Sequence, residues 1–564
     1  MQKIVECVPN FSEGKNLQII KQITDAIESV DGVQLLDVDP GKATNRTVVT
    51  IVGEVDLVVE AAFRGIQMAS TLIDMRNHAG EHPRMGATDV CPLIPISGIS
   101  MEETAQYAQQ LAKRVANELS IPTYLYEDAQ PNKSRSNLSV IRAGEYEGFF
   151  EKIKDPIWAP DFGKAEMNAT AGATVIGARD FLIAFNINLN TKSTRVANRI
   201  AFDVREAGRV KREGNPISGK IVKDENGEDV RIPGKLKSVK AIGWFIEEYN
   251  IAQISMNLTN YHVTPLHIAF EETRKSADER GVRVTGSELV GLIPLKSMLD
   301  AGKYFLEKQG LSSGVSEAEL VDIAIKSLGL SEISNFDPKK KIIEYILQDP
   351  KKSKLVSMTV KGFADETASD SPAPGGGSIA ALAGALGASL GTMVANLSAS
   401  KRGWEDRVGE FSPWAEKGQK LKDELLFLVD EDTRAFDGIM NAFGLPKDNA
   451  EQVAARKQAI ESASKYATEI PFKTMQAAFN CIPLLQEMAK NGNQNSLSDV
   501  GVGAICIKTA VRGAWLNVLI NAKGLTDQVW AKSIVEQART LLAENHTLCD
   551  EIVKGIEERL DGLD

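Results

Sequence analysis

Short apolar blocks and amphipathic stretches take turns along the first half of the chain. IVECVPN and TVVTIVG read as strands, and LQIIKQITDAIESV between them has apolar residues at helical spacing. VDLVVEAAFRGIQMASTLID and Met101 to Leu119 read as further helices, and DVCPLIPIS as a strand. GATVIGARDF reads as a turn leading into FLIAFNINLN, a strand that ends near Asn190. The pattern then restarts. VANRIAFDVRE predicts a helix, LKSVKAIGWFIEEYNIAQISMNLTN two strands, and HIAFEETRKSADERG another helix. GSELVGLIP mirrors GATDVCPLIP, each placing a Gly, a polar residue and an acid before an apolar run that ends in Ile-Pro. This suggests two related α/β (α+β) subdomains, 1–180 and 181–328, each an open sheet covered by helices.

From about Leu330 the pattern changes. FDPKKKIIEY and DPKKSKL predict a linker over 329–355 with one short helix and solvated lysines. Beyond Ala364 nothing reads as a strand, so 356–564 is expected to be an all-α helical bundle. Ser371 to Ser400 carries no charge and is long enough to span a bilayer. It is mostly Ala, Gly and Ser, which suits a buried helix packed closely through small residues.

Composition narrows the function. The 564 residues exceed one core, at roughly 100–200 residues per domain. The net charge of -11 disfavours a nucleic-acid partner, which needs a basic face. Cys7, Cys91, Cys481, Cys506 and Cys549 are odd in number and scattered, with no CxxC pair. That pattern suggests neither a disulfide framework nor a zinc cluster, and fits a reducing, cytoplasmic setting. MQKIVECVPNF enters a strand-like run directly, so no signal peptide is expected.

The stretch HAGEHPRMGATDVCPLIPI, from His78 to Ile96, is the densest in chemistry. His78 and His82 would share a face only on a helix. Gly80 lies between them and Pro83 follows, which pushes His82 out of helical geometry. The segment is a loop entering a strand, and no metal is expected. A histidine here is either structural or a proton carrier, since imidazole titrates near pH 6.5. Arg84 offers a planar fork for a carboxylate. Asn10, Ser12, Asp39, Arg46, Asn186 and Asn188 are polar residues at strand ends, and each is either a ligand contact or a turn or cap.

In the last domain, Leu421, Leu425, Leu428, Ala435, Phe436 and Ile439 form a helical stripe between Lys417 and Ala442. Asp432 falls inside it, whereas Asp430 and Glu431 point elsewhere. A buried acid is costly unless paired or functional, and burial raises its pKa. Asp432 is either a proton shuttle or an acid at the bundle's wet edge. Gly375, Gly376, Gly377 and Ser378 of APGGGS either open a helix N-terminus to a ligand or serve close packing. Arg456 and Lys457 are candidates to meet carboxylates. Asn517 and Asn521 are candidates for hydrogen bonds within the bundle or to a ligand.

VPNFSEG, NRTVVTIVG, GEHPRMGATDVCP and GATVIGARDFLIAFNINL resemble the glutamate formimidoyltransferase family. APGGGS and LVDEDTRAF resemble formimidoyltetrahydrofolate cyclodeaminases. Together the resemblance spans nearly the whole chain and points to the bifunctional family of histidine degradation. It implies transfer of a formimino group from N-formimino-L-glutamate to N5 of tetrahydrofolate. Cyclisation to 5,10-methenyltetrahydrofolate with loss of ammonia would follow. The family's catalytic histidine falls on His82 and its catalytic aspartate on Asp432. Its folate-binding loop falls on Gly163, Lys164, Ala165, Glu166, Met167, Asn168, Ala169, Thr170, Ala171 and Gly172. Arg84 would hold a glutamate carboxylate of the substrate or the folate tail. Tetrahydrofolate, polyglutamylated, is the implied co-substrate. A homo-oligomer, a ring of dimers, is the implied assembly, with no nucleic acid and no membrane span. Two alternatives stand beside this reading: a last domain that adds water as methenyltetrahydrofolate cyclohydrolases do, and a folate-binding scaffold with dead sites.

Overall fold

The computed structural model describes residues 3–41, 45–80, 83–215, 218–247, 249–347 and 354–561. Contacts divide the chain into two compact units, Met1–Pro294 with Glu332–Leu347, and Leu295–Ser331 with Gln348–Asp564.

The first unit begins with a seven-stranded sheet. Its strands are β1 (Ile4–Cys7), β2 (Asn10–Phe11), β3 (Val33–Gly41), β4 (Arg46–Glu54), β5 (Thr88–Ser97), β6 (Thr123–Glu127) and β7 (Thr174–Ala178). They run β1-β4-β2-β5-β7-β6, with β3 added on β4. Helices α1 (Leu17–Glu28), α2 (Val55–Leu72) and α3 (Met101–Leu119) bury their apolar stripes in its core, including Ile23, Ile66 and Leu111. Ser100 and Glu103 close a capping box that starts α3. Short helices α4 (Leu138–Ile141) and α5 (Glu145–Lys152) follow β6.

The turn expected over GATVIGARDF contains a strand. Its β-branched TVI core forms β7, parallel to both β5 and β6. Gly177 in β7 lies so close to the Tyr126 ring that a Cβ would stand 2.4 Å from it. Only glycine fits there.

The other sheet of this unit contains β8 (Ile183–Leu189), β11 (Val239–Ile246), β12 (Ile251–Leu258) and β13 (Val284–Val290). It is antiparallel, in the order β11-β12-β8-β13. Between β8 and β11 the chain forms helix α6 (Thr194–Val204) and a small ribbon of β9 (Arg209–Val210) and β10 (Arg231–Ile232). Helix α7 (Leu266–Asp278) packs against α6. The mirrored motifs take different places. β5 is interior and contains its Ile-Pro, whereas β13 is an edge strand that stops at Val290, before GLIP.

Glu6 is a buried acid in β1, 6% exposed. Burial pushes its carboxyl up to about 7, and nearby Arg179 only partly opposes this. The unfolded chain therefore loses this proton first, and folding stability falls as pH rises from the ordinary carboxylate range toward 7. Glu6→Gln is expected to gain stability over the parent between about pH 5 and 8, by up to roughly 3 kcal/mol. Thermal melts at both pH values check this, and an equal difference at the two would contradict it.

Helices α8 (Leu295–Lys308) and α9 (Glu317–Leu328) fall within the span expected for the second subdomain, yet pack in the helical unit. Ser313 Oγ donates to Glu416 Oε1 (2.7 Å), Lys303 pairs with Glu416, and Gly314 lies against Ala415. Of the stretch expected to be a solvated linker, Glu332–Leu347 belongs to the first unit instead, and 348–353 lie outside the described residues. Its two short helices, α10 (Pro338–Lys341) and α11 (Ile343–Ile346), bring Ile342 and Ile343 to full burial, and Ile342 bridges to Ile293. Two apolar residues outweigh the surrounding lysines.

The rest of the helical unit comprises α12 (Val360–Thr367), α13 (Gly376–Ala399), α14 (Val408–Phe443), α15 (Ala450–Phe479), α16 (Ile482–Asn491), α17 (Leu497–Ala522) and α18 (Gln528–Asp561). α13 and the stretch Gln494–Ala522 are long and apolar enough to cross a bilayer. α13 packs against α14 and α17, with Ala381, Ala385, Ala388 and Ala395 buried. Gly384 and Gly391 lie within close contact of Leu425 and Leu484. Small residues thus let three helices approach closely.

Candidate active sites

His82, the expected proton carrier, lies outside the described residues. Its surroundings are defined on both sides. Before it, His78 Nε2 donates to Asn45 O (2.9 Å), and its Nδ1 accepts from Arg84 Nε (3.3 Å). Both nitrogens of His78 are engaged, as in a structural histidine. After it, Pro83 O accepts from Arg142 Nη1 (2.9 Å). A cavity of about 330 Å³ opens beside this point, lined by Pro83, Ser139, Arg142, Ala143, Gly144 and Glu145.

Arg84 does not present an empty fork. It pairs with Glu147 through both Nη1 (2.9 Å) and Nη2 (2.6 Å), and with Glu145 at 2.9 Å. Its hydrogen bonds to Glu147 hold that carboxyl below the usual range. A substrate carboxylate would have to displace Glu147, whose side chain is 64% exposed.

Asn10 and Arg46 come together around a residue that sequence reading did not single out, Asp89. Arg46 Nε donates to Asn10 Oδ1 (2.9 Å), and Arg46 and Arg142 both pair with Asp89 Oδ2, at 2.8 and 2.7 Å. Asp89 Oδ1 accepts from Met85 N (3.0 Å), and the side chain is fully buried. The signal was present, as an acid at the start of an otherwise apolar strand. Ser12 Oγ donates to Gly86 O (2.7 Å), so it ties β2 to the same loop.

The loop from Gly163 to Gly172 is fastened to both ends of this segment. Thr170 O accepts from Met75 N (2.8 Å), and Ala171 O accepts from Ala87 N (2.8 Å). Gly172 has φ of 73°, and a Cβ there would stand 2.3 Å from Met85 O. Asn168 closes the turn by accepting from Thr170 N and Ala171 N. Gly163, Lys164, Glu166, Met167 and Asn168 line a cavity of about 600 Å³ together with residues that end α3 and precede β6. Ala165, Ala169 and the loop's last residues lie outside that lining.

The other candidates of this unit lie elsewhere. Asp39 is exposed on β3, paired in register with Val48. Asn186 and Asn188 lie on the second sheet, where they bond Glu288 (3.2 Å) and Glu332 (2.6 Å), and Asn188 Oδ1 accepts from Gln253 (2.8 Å).

In the helical unit, α13 starts at the glycines with no side chain capping its first turn. Ser378 Oγ stands 2.8 Å from Val429 O and 3.2 Å from Asp432 Oδ2, sharing its one proton. Burial raises the Asp432 carboxyl above its ordinary value, and Ser378 pulls weakly the other way. Gly375, Gly376, Asp432, Phe436, Asn517 and Asn521 line a cavity of about 130 Å³. That is below the usual roughly 300–1,000 Å³ of a whole-ligand pocket, so it suits the reacting end of a larger molecule. Asn517 and Asn521 donate to Gly513 O (2.9 Å) and Ala467 O (2.7 Å).

Asp430 and Glu431 do not point away from the core. They are 6% and 8% exposed. Asp430 accepts from Leu355 N (2.8 Å) and Val356 N (3.2 Å), while Glu431 bonds Arg434 and Tyr466. Phe436, placed in the buried stripe, is 40% exposed. α14 has neighbours on several sides, so its buried residues do not fall on a single stripe. Arg456 donates to Phe443 O at the end of α14 (2.9 Å), and Lys457 is exposed; neither lines the cavity.

Gly377 carries a sharp test. A Cβ there would stand 2.1 Å from Asp432 Oδ1. Gly377→Ala must swing the carboxylate away from Ser378. The ammonia loss that the resemblance implies is expected to fall about tenfold or more while the melting temperature stays near the parent's. An unchanged rate would show that the carboxylate's position is immaterial.

Family models match the chain in three successive parts. The N-terminal subdomain of the formiminotransferase domain matches residues 4–179, the formiminotransferase domain 184–348, and formiminotransferase-cyclodeaminase 359–540. Formimidoyltransferase-cyclodeaminase of Mus musculus is 43% identical over 561 residues, covering 99% of this chain and all of that protein. Glutamate formimidoyltransferase of Streptococcus pyogenes is 42% identical over 54% of this chain and 94% of its own length. Methenyltetrahydrofolate cyclohydrolase of Methylorubrum extorquens is 36% identical over 36% of this chain and 98% of its own length.

Proposed function

The chain belongs to the formiminotransferase-cyclodeaminase family, and we propose that its two reactions are carried by His82 in the first unit and Asp432 in the second. It transfers the formimino group of N-formimino-L-glutamate to N5 of tetrahydrofolate, then closes 5-formiminotetrahydrofolate to 5,10-methenyltetrahydrofolate with release of ammonia. The observation that carries the residue assignment is the half-buried Asp432 held by Ser378 at the mouth of the α13 glycines.

In the transfer step, N5 loses a proton as it attacks the amidine carbon, and the departing glutamate nitrogen gains one. One imidazole serves both events in turn. Asp89, through Arg46 and Arg142, holds the backbone that follows His82. The loop Gly163–Gly172 lies against the same backbone and borders a cavity large enough for folate. Each reaction forms one carbon–nitrogen bond and breaks another, and the proton transfers that accompany this are within reach of a side-chain acid or base.

The setting is cytoplasmic histidine breakdown, which the scattered free cysteines suit. The folate is polyglutamylated, and its tail keeps the intermediate on the enzyme between steps. The chain assembles as dimers in a ring. Exposed Leu386, Leu516 and Ile520 on the helical unit support self-association. It does not span a membrane, the small-residue face of α13 being used for helix packing.

The likeness to a cyclohydrolase favours a second reading for the last domain, hydrolysis of the methenyl bridge. Supplying 5-formiminotetrahydrofolate and 5,10-methenyltetrahydrofolate separately distinguishes the two. Ammonia from the first, with the second left intact, is the expected result. Rapid hydrolysis of the second with no ammonia from the first would replace this reading.

A further inference from the structure

Helix α6 has two contrasting faces. Ala197, Ile200, Ala201 and Val204 are buried against the second sheet. On the other side, Arg195, Asn198, Arg199 and Phe202 follow one another at helical spacing, and Arg205 caps the C-terminus of the helix in extended conformation. The β9–β10 ribbon and its flank add Arg209, Arg212 and Arg231. All six arginines line one cavity of about 410 Å³.

These charges are poorly neutralised by the protein. Among the described residues, Arg209 has a carboxylate partner, Asp203, and the other five have none. Arg205 donates to Gly208 O (2.9 Å) and lies over the Phe202 ring at 4.2 Å. Arg212 and Arg231 donate to the carbonyls of Gly219 and Ala207. Burial and the neighbouring Arg231 lower the basicity of Arg205. Burial, Arg280 and Arg199 lower that of Arg209. A chain with a net charge of -11 has concentrated cations here and placed no lysine in the lining. Guanidinium groups grip carboxylates and phosphates through two parallel bonds, which the round ammonium of lysine does not. The cavity falls within the usual size for a small ligand.

We propose that this pocket binds a small oligoanion, a ligand with two or more adjacent carboxylate or phosphate groups. Its lining shares no residue with the cavities described above, and the proposal does not depend on the assignments made there. Several guanidinium groups can then pair at once, which relieves their mutual repulsion as well as gripping the ligand. Either a short chain of carboxylates or a polyphosphate supplies this chemistry.

Calorimetric titration of the full-length protein tests it, with inorganic tripolyphosphate and a tetra-γ-glutamyl peptide as separate probes. At least one should bind saturably, and more weakly as salt rises. Arg199→Glu and Arg195→Glu should each weaken that binding about tenfold or more. Transfer to monoglutamyl tetrahydrofolate should be unchanged in both variants. The probe that binds identifies the source of the anion. Saturable binding that both variants retain would overturn the proposal, as would a failure of both probes to bind. A change in oligomeric state in the variants, with no probe bound to the parent, would also overturn it and assign the patch to contact between copies.

Discussion

Asp432→Asn is expected to lower ammonia release from 5-formiminotetrahydrofolate by about three orders of magnitude, with formimino transfer intact. Asparagine keeps the shape of the side chain and a hydrogen bond to Ser378, but it carries no proton to give or take. Closing the five-membered ring takes a proton from N10, and expelling ammonia requires one at the departing nitrogen. Asp432 is the ionisable group lining this cavity, and burial keeps its carboxyl above the ordinary carboxylate range. A carboxyl that holds its proton longer is a better acid near neutrality. The parent's ammonia release should therefore fall as pH rises through this raised value, and the variant's residual rate should lack that limb. A variant with the parent's rate would remove Asp432 from the chemistry.

The second large effect is expected at His82. His82→Ala should cost formimino transfer about a hundred- to ten-thousandfold. Ammonia release from supplied 5-formiminotetrahydrofolate should be unchanged. By sequence, His82 stands in a loop beside a histidine that is already fully engaged. His78 gives one nitrogen to Asn45 and the other to Arg84, which leaves neither for substrate. His78→Gln should accordingly affect the melting temperature more than the rate. Loss of transfer in His78→Gln with activity retained in His82→Ala would reverse the two roles.

The sequence made some of this legible and hid the rest for physical reasons. Helix Met101–Leu119 could be read to the residue because a serine–glutamate cap marks its start. Period-two and period-three signals found most strands and helices of the first unit. β7 escaped because five residues containing glycine carry little alternation, and its place between β5 and β6 is fixed by tertiary pairing. The docking of Ile342 and Ile343 escaped because three lysines dominate the local composition. At the sites, glycine-rich turns and the loop histidine were conspicuous. Asp89 was not, because its meaning depends on Arg46 and Arg142, which are distant in sequence. The three adjacent acids of α14 were sorted by assuming one buried face, and the bundle gave that helix several.

The most direct test supplies N-formimino-L-glutamate and tetrahydrofolate to the purified protein and measures glutamate, ammonia and methenyltetrahydrofolate in the same sample. All three should appear in equal amounts. Asp432→Asn should give glutamate without ammonia, and His82→Ala none of the three. Glutamate released by the parent with no ammonia to follow would contradict a chain that carries both reactions.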